Sequence, residues 1–195
     1  MSDDDPDVYP GSTVLRNKLG ITDPARLDKL ERLLVTQRFA AGLPAAKFDL
    51  AHLCAVHRHL FQDIYAWAGM LRTVEIAKGG QHFQFHRLIE TGMADVHRRL
   101  ANANFLHGLA PWEFASAAGR ILGDVNYVHP FRECNGRTQL FYLAQLGEQA
   151  GHNLDLTRLS PSGWIAASRE AHLGNYDRMS NEIAGTLTLG PLPTT

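Results

Sequence analysis

The chain has 195 residues, is 45% hydrophobic and carries a formal net charge of −1. That length suffices for one domain with a substantial core, and the balanced charge offers no field to attract nucleic acid. Two cysteines, Cys54 and Cys134, make neither a disulfide framework nor a zinc site, no apolar run approaches a membrane span, and the acidic start is unlike a secretory leader. A cytoplasmic protein with no membrane and no direct nucleic-acid contact is expected.

An acidic disordered tail is expected over residues 1–9, a single domain over 10–188 and a flexible tail, marked by Pro191 and Pro193, over 189–195. Asp23-Pro24 reads as a helix start, a capping residue with proline at the first helical position. Leu27, Leu30, Leu33, Leu34 and Phe39 then recur at helical spacing until Gly42-Leu43-Pro44. Asp49 can cap a second helix reaching about Tyr65, with Leu53, Val56, Leu60 and Ile64 on one face. Trp67-Ala68-Gly69 interrupts. Residues Leu71 to Ile76 alternate like a strand, Gly79-Gly80 is a turn, and His82 to Phe85 can return antiparallel. Helical periodicity resumes from about Leu88 to Phe105, Trp112 to Val128 and Gly136 to Gln149, with Gly151 as a stop. Shorter helices are expected after Ser160-Pro161 and over about Tyr176 to Ile183. The pattern is all-α, with one small hairpin.

The loop between two of these helices holds the chemistry: His129-Pro130-Phe131-Arg132-Glu133-Cys134-Asn135-Gly136-Arg137. Histidine can take a proton from a hydroxyl near neutral pH. A carboxylate at Glu133 suits Mg²⁺, which binds through one or two such groups plus phosphate oxygens. It could equally pair with Arg132 or Arg137, a surface contact worth little. Asn135-Gly136 opens the following helix and exposes N–H groups to an anion. Arg137 can neutralise phosphate. A base, a metal ligand, an anion cradle and a guanidinium describe phosphoryl or nucleotidyl transfer. Phe131 reads as a buried anchor for the loop. The other histidines read as scattered structural or surface residues, and Asn175 and Tyr176 are weak candidates for a nucleobase pocket.

This stretch resembles the Fic motif, His-x-Phe-x-(Asp/Glu)-Gly-Asn-Gly-Arg-x-x-Arg, matched at His129, Phe131, Glu133, Asn135, Gly136 and Arg137. Tyr9-Pro10-Gly11, Leu15 to Leu19, His57 to Gly69 and Leu71 to Val74 extend the similarity to the compact bacterial FicT-type toxins over nearly the whole chain. The resemblance implies a Fic-like helical bundle with a small β-hairpin flap. It implies a protein adenylyltransferase that moves AMP from ATP, with Mg²⁺, to a Tyr, Thr or Ser hydroxyl. His129 is then the catalytic base and Glu133 the metal ligand, while Cys134, Asn135, Gly136 and Arg137 form the nucleotide-binding loop. Val74, Glu75, Ile76 and Lys78 form the target-docking flap, where an exposed edge adds a target segment as a further strand.

The implied targets are type II topoisomerases, gyrase and topoisomerase IV. The family's restraining helix, (Ser/Thr)-x-x-x-Glu-(Gly/Asn), has no match here; the nearest is Thr91-x-x-x-Asp95. A separate small antitoxin carrying that helix is therefore expected. Two positions depart from the motif. Cys134 replaces glycine, and a Cβ at a positive φ costs about 1–2 kcal/mol. Leu140 replaces the second arginine, and losing a contact to the transferring group costs on the order of 10²–10³ in rate. Weakened activity, a binding or regulatory module on the same fold, and use of another nucleotide or phosphate donor all stay open.

Overall fold

The computed structural model describes residues 5 and 7–188. The tail expected at 189–195 and most of the one at 1–9 lie outside these residues; Val8, within the latter, is buried and pairs with Leu15. Seven α-helices occur among the described residues: α1 (Pro24–Ala40), α2 (Leu50–Phe61), α3 (Ile89–Asn102), α4 (Pro111–Val128), α5 (Asn135–Ala150), α6 (Pro161–His172) and α7 (Asp177–Thr186). Three single-turn 3-10 helices and one antiparallel pair, β1 (Ala77–Lys78) with β2 (Gln81–His82), complete them. The expected all-α architecture with a small hairpin is what the chain adopts. It divides into two compact units, Met1–Ala45 with Cys54–Met70 and Ala46–Leu53 with Leu71–Thr195.

In the first unit, the Asp23 carboxylate accepts from the Arg26 N–H at 2.8 Å, capping α1 as its sequence requires. The buried stripe of α1 is Leu27, Glu31 and Val35, at i, i+4 and i+8; Leu33 and Phe39, expected on the apolar face, are exposed. A charged residue takes the inner position because the Tyr65 hydroxyl donates to Glu31 Oε2 at 2.6 Å. The second helix stops at Phe61, short of the expected Tyr65. The Ile64 carbonyl accepts from the Lys18 N–H and the Gln62 carbonyl from Lys18 Nζ, so the preceding segment satisfies backbone that a longer helix would have used. Arg38 grips Asp63 through two hydrogen bonds of 2.6 Å and holds its carboxyl below the usual range.

The second unit is centred on α4, which packs against α3, α5, α6 and α7. A Cβ at Gly119 would lie 2.9 Å from the Ser180 backbone nitrogen, so glycine permits the close approach of α4 and α7. Phe48 lies with Tyr142, His52 and Phe105 in an aromatic cluster, and the Tyr142 hydroxyl donates to the Phe48 carbonyl at 3.0 Å. The long helix expected from Leu88 to Phe105 is shorter. It ends at Asn102, and Asn104, Phe105 and Leu106 all take positive φ.

The hairpin is displaced from its expected register. Leu71 to Ile76 is not a strand; pairing starts at Ala77, opposite His82. The reason is Arg72. Its side chain is inaccessible to solvent. Its guanidinium donates to the carbonyls of His129 (2.8 Å), Val74 (2.8 Å), Val128 (3.2 Å) and Gln84, while its own N–H donates to the Pro130 carbonyl at 2.9 Å. A segment that hydrogen-bonds to the end of α4 cannot also run as a strand beside residues 82–85. Replacing Arg72 with Met should therefore lower unfolding free energy by about 3 kcal/mol or more in urea titrations, because several buried carbonyls lose a charged donor. A loss under 1 kcal/mol would show that Arg72 is dispensable to the fold.

Candidate active site

The site begins where α4 ends. His129 caps that helix in the left-handed region (φ 49°, ψ 63°), while its N–H still donates to the Val125 carbonyl at 3.0 Å. The turn sends Phe131 inward, where it is fully buried. Asn135 closes the loop from the other side. Its Oδ1 accepts from the Phe131 N–H at 2.9 Å and its Nδ2 donates to the Phe131 carbonyl at 2.8 Å. The Asn135 side chain is thus spent on the loop, and what it can offer an anion is backbone.

Cys134 sits in the left-handed region (φ 67°, ψ 10°) as the residue before α5. The backbone there has the positive φ that favours glycine, so the Cβ of Cys134 carries the expected cost. The thiol is buried, its Sγ accepts from Arg137 Nη2 at 3.3 Å, and its carbonyl accepts from the Thr138 N–H and Oγ1.

The His129 ring is oriented by two contacts. Asn126 offers a carbonyl at 3.1 Å from Nδ1, so Nδ1 carries the proton and Nε2 the lone pair. Phe83 stacks on the ring with centroids 3.7 Å apart and planes 18° off parallel. Burial pushes the His129 pKa down to about 3, and the positive charge of Arg72 and Lys78 adds to that, against the Asn126 carbonyl. The residue is neutral at cell pH, with a free lone pair.

His129 opens onto a cavity of about 130 Å³. Glu133, Asn135 and Gly136 line it from the loop, and Lys78, Gln81 and Phe83 from the hairpin. A Cβ at Gly136 would meet no protein atom within 4 Å, so the start of α5 is left clear on that side. Cys134 and Arg137, expected in the nucleotide loop, are not among the lining residues. Of the four expected flap residues only Lys78 is in the pair and in the wall. Glu75 instead accepts from the His86 N–H at 3.2 Å and meets His86 Nδ1 at 2.8 Å, and the Val74 carbonyl serves Arg72. Ile76 accepts from the Phe83 N–H through its carbonyl.

Sequence reasoning missed the opposite wall. Trp164, Ile165, Ser168, Arg169 and His172 of α6 line the cavity, at spacings that share one helix face. That mixed face has no apolar stripe, so only its i, i+4, i+8 spacing could have marked it. Asn175 and Tyr176, the weak nucleobase candidates, are elsewhere: the Tyr176 hydroxyl donates to Asp124 at 2.7 Å and Asn175 Oδ1 accepts from the Asp177 N–H.

Among the described residues no three His, Cys, Asp or Glu side chains gather around a point that could hold a metal. One carboxylate at the cavity wall, Glu133, is a donor set that fits Mg²⁺ only where phosphate and water supply the remaining oxygens. No helix of the described residues is long and apolar enough to cross a membrane.

The Fic/DOC family profile matches residues 47–146, the segment that contains His129 to Arg137. The chain belongs to the Fic/DOC family. It is 39% identical, over 92% of its length and 94% of the relative's, to the probable protein adenylyltransferase y4lH of Sinorhizobium fredii. It is also 39% identical to the protein adenylyltransferase VbhT of Bartonella schoenbuchensis, over 94% of this chain and 39% of VbhT. Its fold superimposes on that of the BepC protein of Bartonella tribocorum, solved with bound AMPPNP, with a TM-score of 0.84 at 27% identity, covering 95% of this chain and 97% of that one. The Fic loop is therefore the His129–Arg137 segment at the cavity mouth.

Two outcomes follow from this geometry. His129 is neutral in the folded chain but titrates near 6.5 when unfolded, so the unfolded state binds more protons as pH falls from 6.5 towards 3. The stability His129 provides is present above 6.5 and is lost in that window. Urea midpoints of the parent should fall relative to His129→Asn between pH 7 and 4, and a constant gap would contradict the buried neutral assignment. Gly136→Ala should keep or raise the thermal midpoint, since alanine is the better helix former by up to about 1 kcal/mol. Calorimetry should show weaker triphosphate binding by the same variant, because the methyl group enters the open side of the helix start.

Proposed function

We propose that this chain is a protein adenylyltransferase that moves AMP from ATP to a Tyr, Thr or Ser hydroxyl of another protein. The observation that carries this reading is His129: a neutral imidazole with Nδ1–H held by Asn126, facing a cavity whose floor is the start of α5. Nε2 takes the proton of the target hydroxyl as its oxygen attacks the α-phosphorus, and pyrophosphate leaves. Negative charge from the bound triphosphate raises the basicity that burial suppresses, so the base becomes effective only when nucleotide is present. Glu133 would hold Mg²⁺, which supplies charge compensation for the phosphates. The backbone N–H groups of Asn135 and Gly136, at the start of α5 and in the cavity wall, would stabilise the transferring group. The hairpin presents Ala77 and Lys78 as an exposed edge on which an extended target segment can lie.

The resemblance of the sequence to compact FicT-type toxins supports three narrower parts of the reading: type II topoisomerases as targets, a small separate antitoxin as restraint, and action in the cytoplasm. A specific feature favours a second reading, a weakened transferase or nucleotide-binding module. Cys134 holds a strained left-handed backbone, its sulfur occupies an Arg137 donor, and Leu140 offers no charge.

One assay separates the two. The protein is incubated with ATP labelled on the α-phosphate, Mg²⁺ and bacterial lysate, beside His129→Ala and the double variant Cys134→Gly/Leu140→Arg. Labelling of a lysate protein by the parent, abolished by His129→Ala and raised at least tenfold in the double variant, is the expected result. Labelling by the double variant alone makes the natural chain a binding module. Labelling that survives His129→Ala removes the proposed base. Mass spectrometry of the labelled protein identifies the transferred group.

A further inference from the structure

The cations around the Fic loop divide into those already committed and those that are not. Arg72 is buried on backbone carbonyls. Arg137 bonds to the Cys134 sulfur and does not line the cavity. Two cations do line it: Lys78 from β1 and Arg169 from α6. Among the described residues neither has a side-chain hydrogen bond or an ion pair. The one acidic side chain in the lining is Glu133, and the two lining histidines have lowered pKa values, His129 chiefly and His172 also from burial. The cavity therefore offers two uncommitted positive charges, contributed by two separate elements, against a single carboxylate.

Two such charges do not suit a neutral ligand or a cation. Exposed lysine and arginine side chains lining one cavity from two elements match a ligand with several negative charges spaced along it.

We propose that Lys78 and Arg169 form a two-sided clamp on the polyphosphate of the nucleotide, gripping the phosphates beyond the first. This rests on the nucleotidyltransferase reading above and assigns to Lys78 a role toward the nucleotide rather than toward the target protein. The clamp supplies from the hairpin and α6 the positive charge that the loop itself withholds, because Arg137 is turned to Cys134. It also ties nucleotide binding to the hairpin: a triphosphate bridging Lys78 and Arg169 draws β1 and α6 to the same ligand.

The test measures dissociation constants for ATP and AMP, in buffer with Mg²⁺, for the full chain and for Lys78→Gln, Arg169→Gln and the double variant. Both side chains are exposed, so the variants should fold, and circular dichroism with thermal midpoints verifies this. ATP affinity should fall about tenfold in each single variant and further in the double, with AMP affinity changing less than twofold. Equal loss for ATP and AMP overturns the clamp, since the cations would then act on a part both nucleotides share. Unchanged ATP affinity in all three variants also overturns it, while the nucleotidyltransferase reading survives. Failure of the parent to bind ATP at all removes that reading and the clamp with it.

Discussion

One buried guanidinium organises the second unit. Arg72 places a permanent charge where no water reaches and satisfies it almost wholly with backbone carbonyls. Those carbonyls belong to the last turn of α4, the first residue of the Fic loop and both arms that lead into the hairpin. A planar fork with five donors can join that many chain segments at one point, and lysine could not. Desolvation lowers the Arg72 pKa, but from a value so high that the charge is kept. The hairpin sits over the cavity because its root is bonded to the same backbone that positions His129. Fold and site are joined at this residue, and its charge contributes to keeping the His129 imidazole neutral.

The Fic loop is held by strain at both ends. His129 and Cys134 are each non-glycine residues in the left-handed region, one closing α4 and the other opening α5. Such conformations persist only when their surroundings over-determine them. Here the surroundings are the fully buried Phe131 ring and the Asn135 amide, which bonds both backbone groups of Phe131. Between these anchors the loop has little freedom. The sulfur at position 134 then has a consequence beyond backbone cost, since it gives Arg137 a partner inside the protein.

The cavity joins three kinds of surface. The loop and helix start give N–H groups and a carboxylate, the hairpin gives a lysine and an aromatic ring stacked on His129, and α6 gives a mixed polar and aromatic wall. No single element could bind a charged, partly aromatic ligand. Its chemistry arises from residues far apart in the chain and brought together by α4 packing on its neighbours.

What could be read from the chain alone was local. Helix starts at Asp23 and Ser160, the stop at Gly151, the all-α character and the motif from His129 to Arg137 all follow from spacing and residue type within a few positions. The family motif was legible because it lies on nine consecutive residues. Packing decided the rest. Glu31 turns inward because a tyrosine thirty-four residues away donates to it, and the second helix ends early because Lys18 takes its carbonyls. The expected strand at 71–76 gave way because Arg72 found better acceptors at the end of α4, and Arg137 left the cavity for a neighbouring sulfur. Local propensity is settled by steric rules that each residue carries with it. The partner of a buried charge or an orphaned carbonyl is chosen by whichever group the folded chain delivers, and no short stretch of sequence contains that choice.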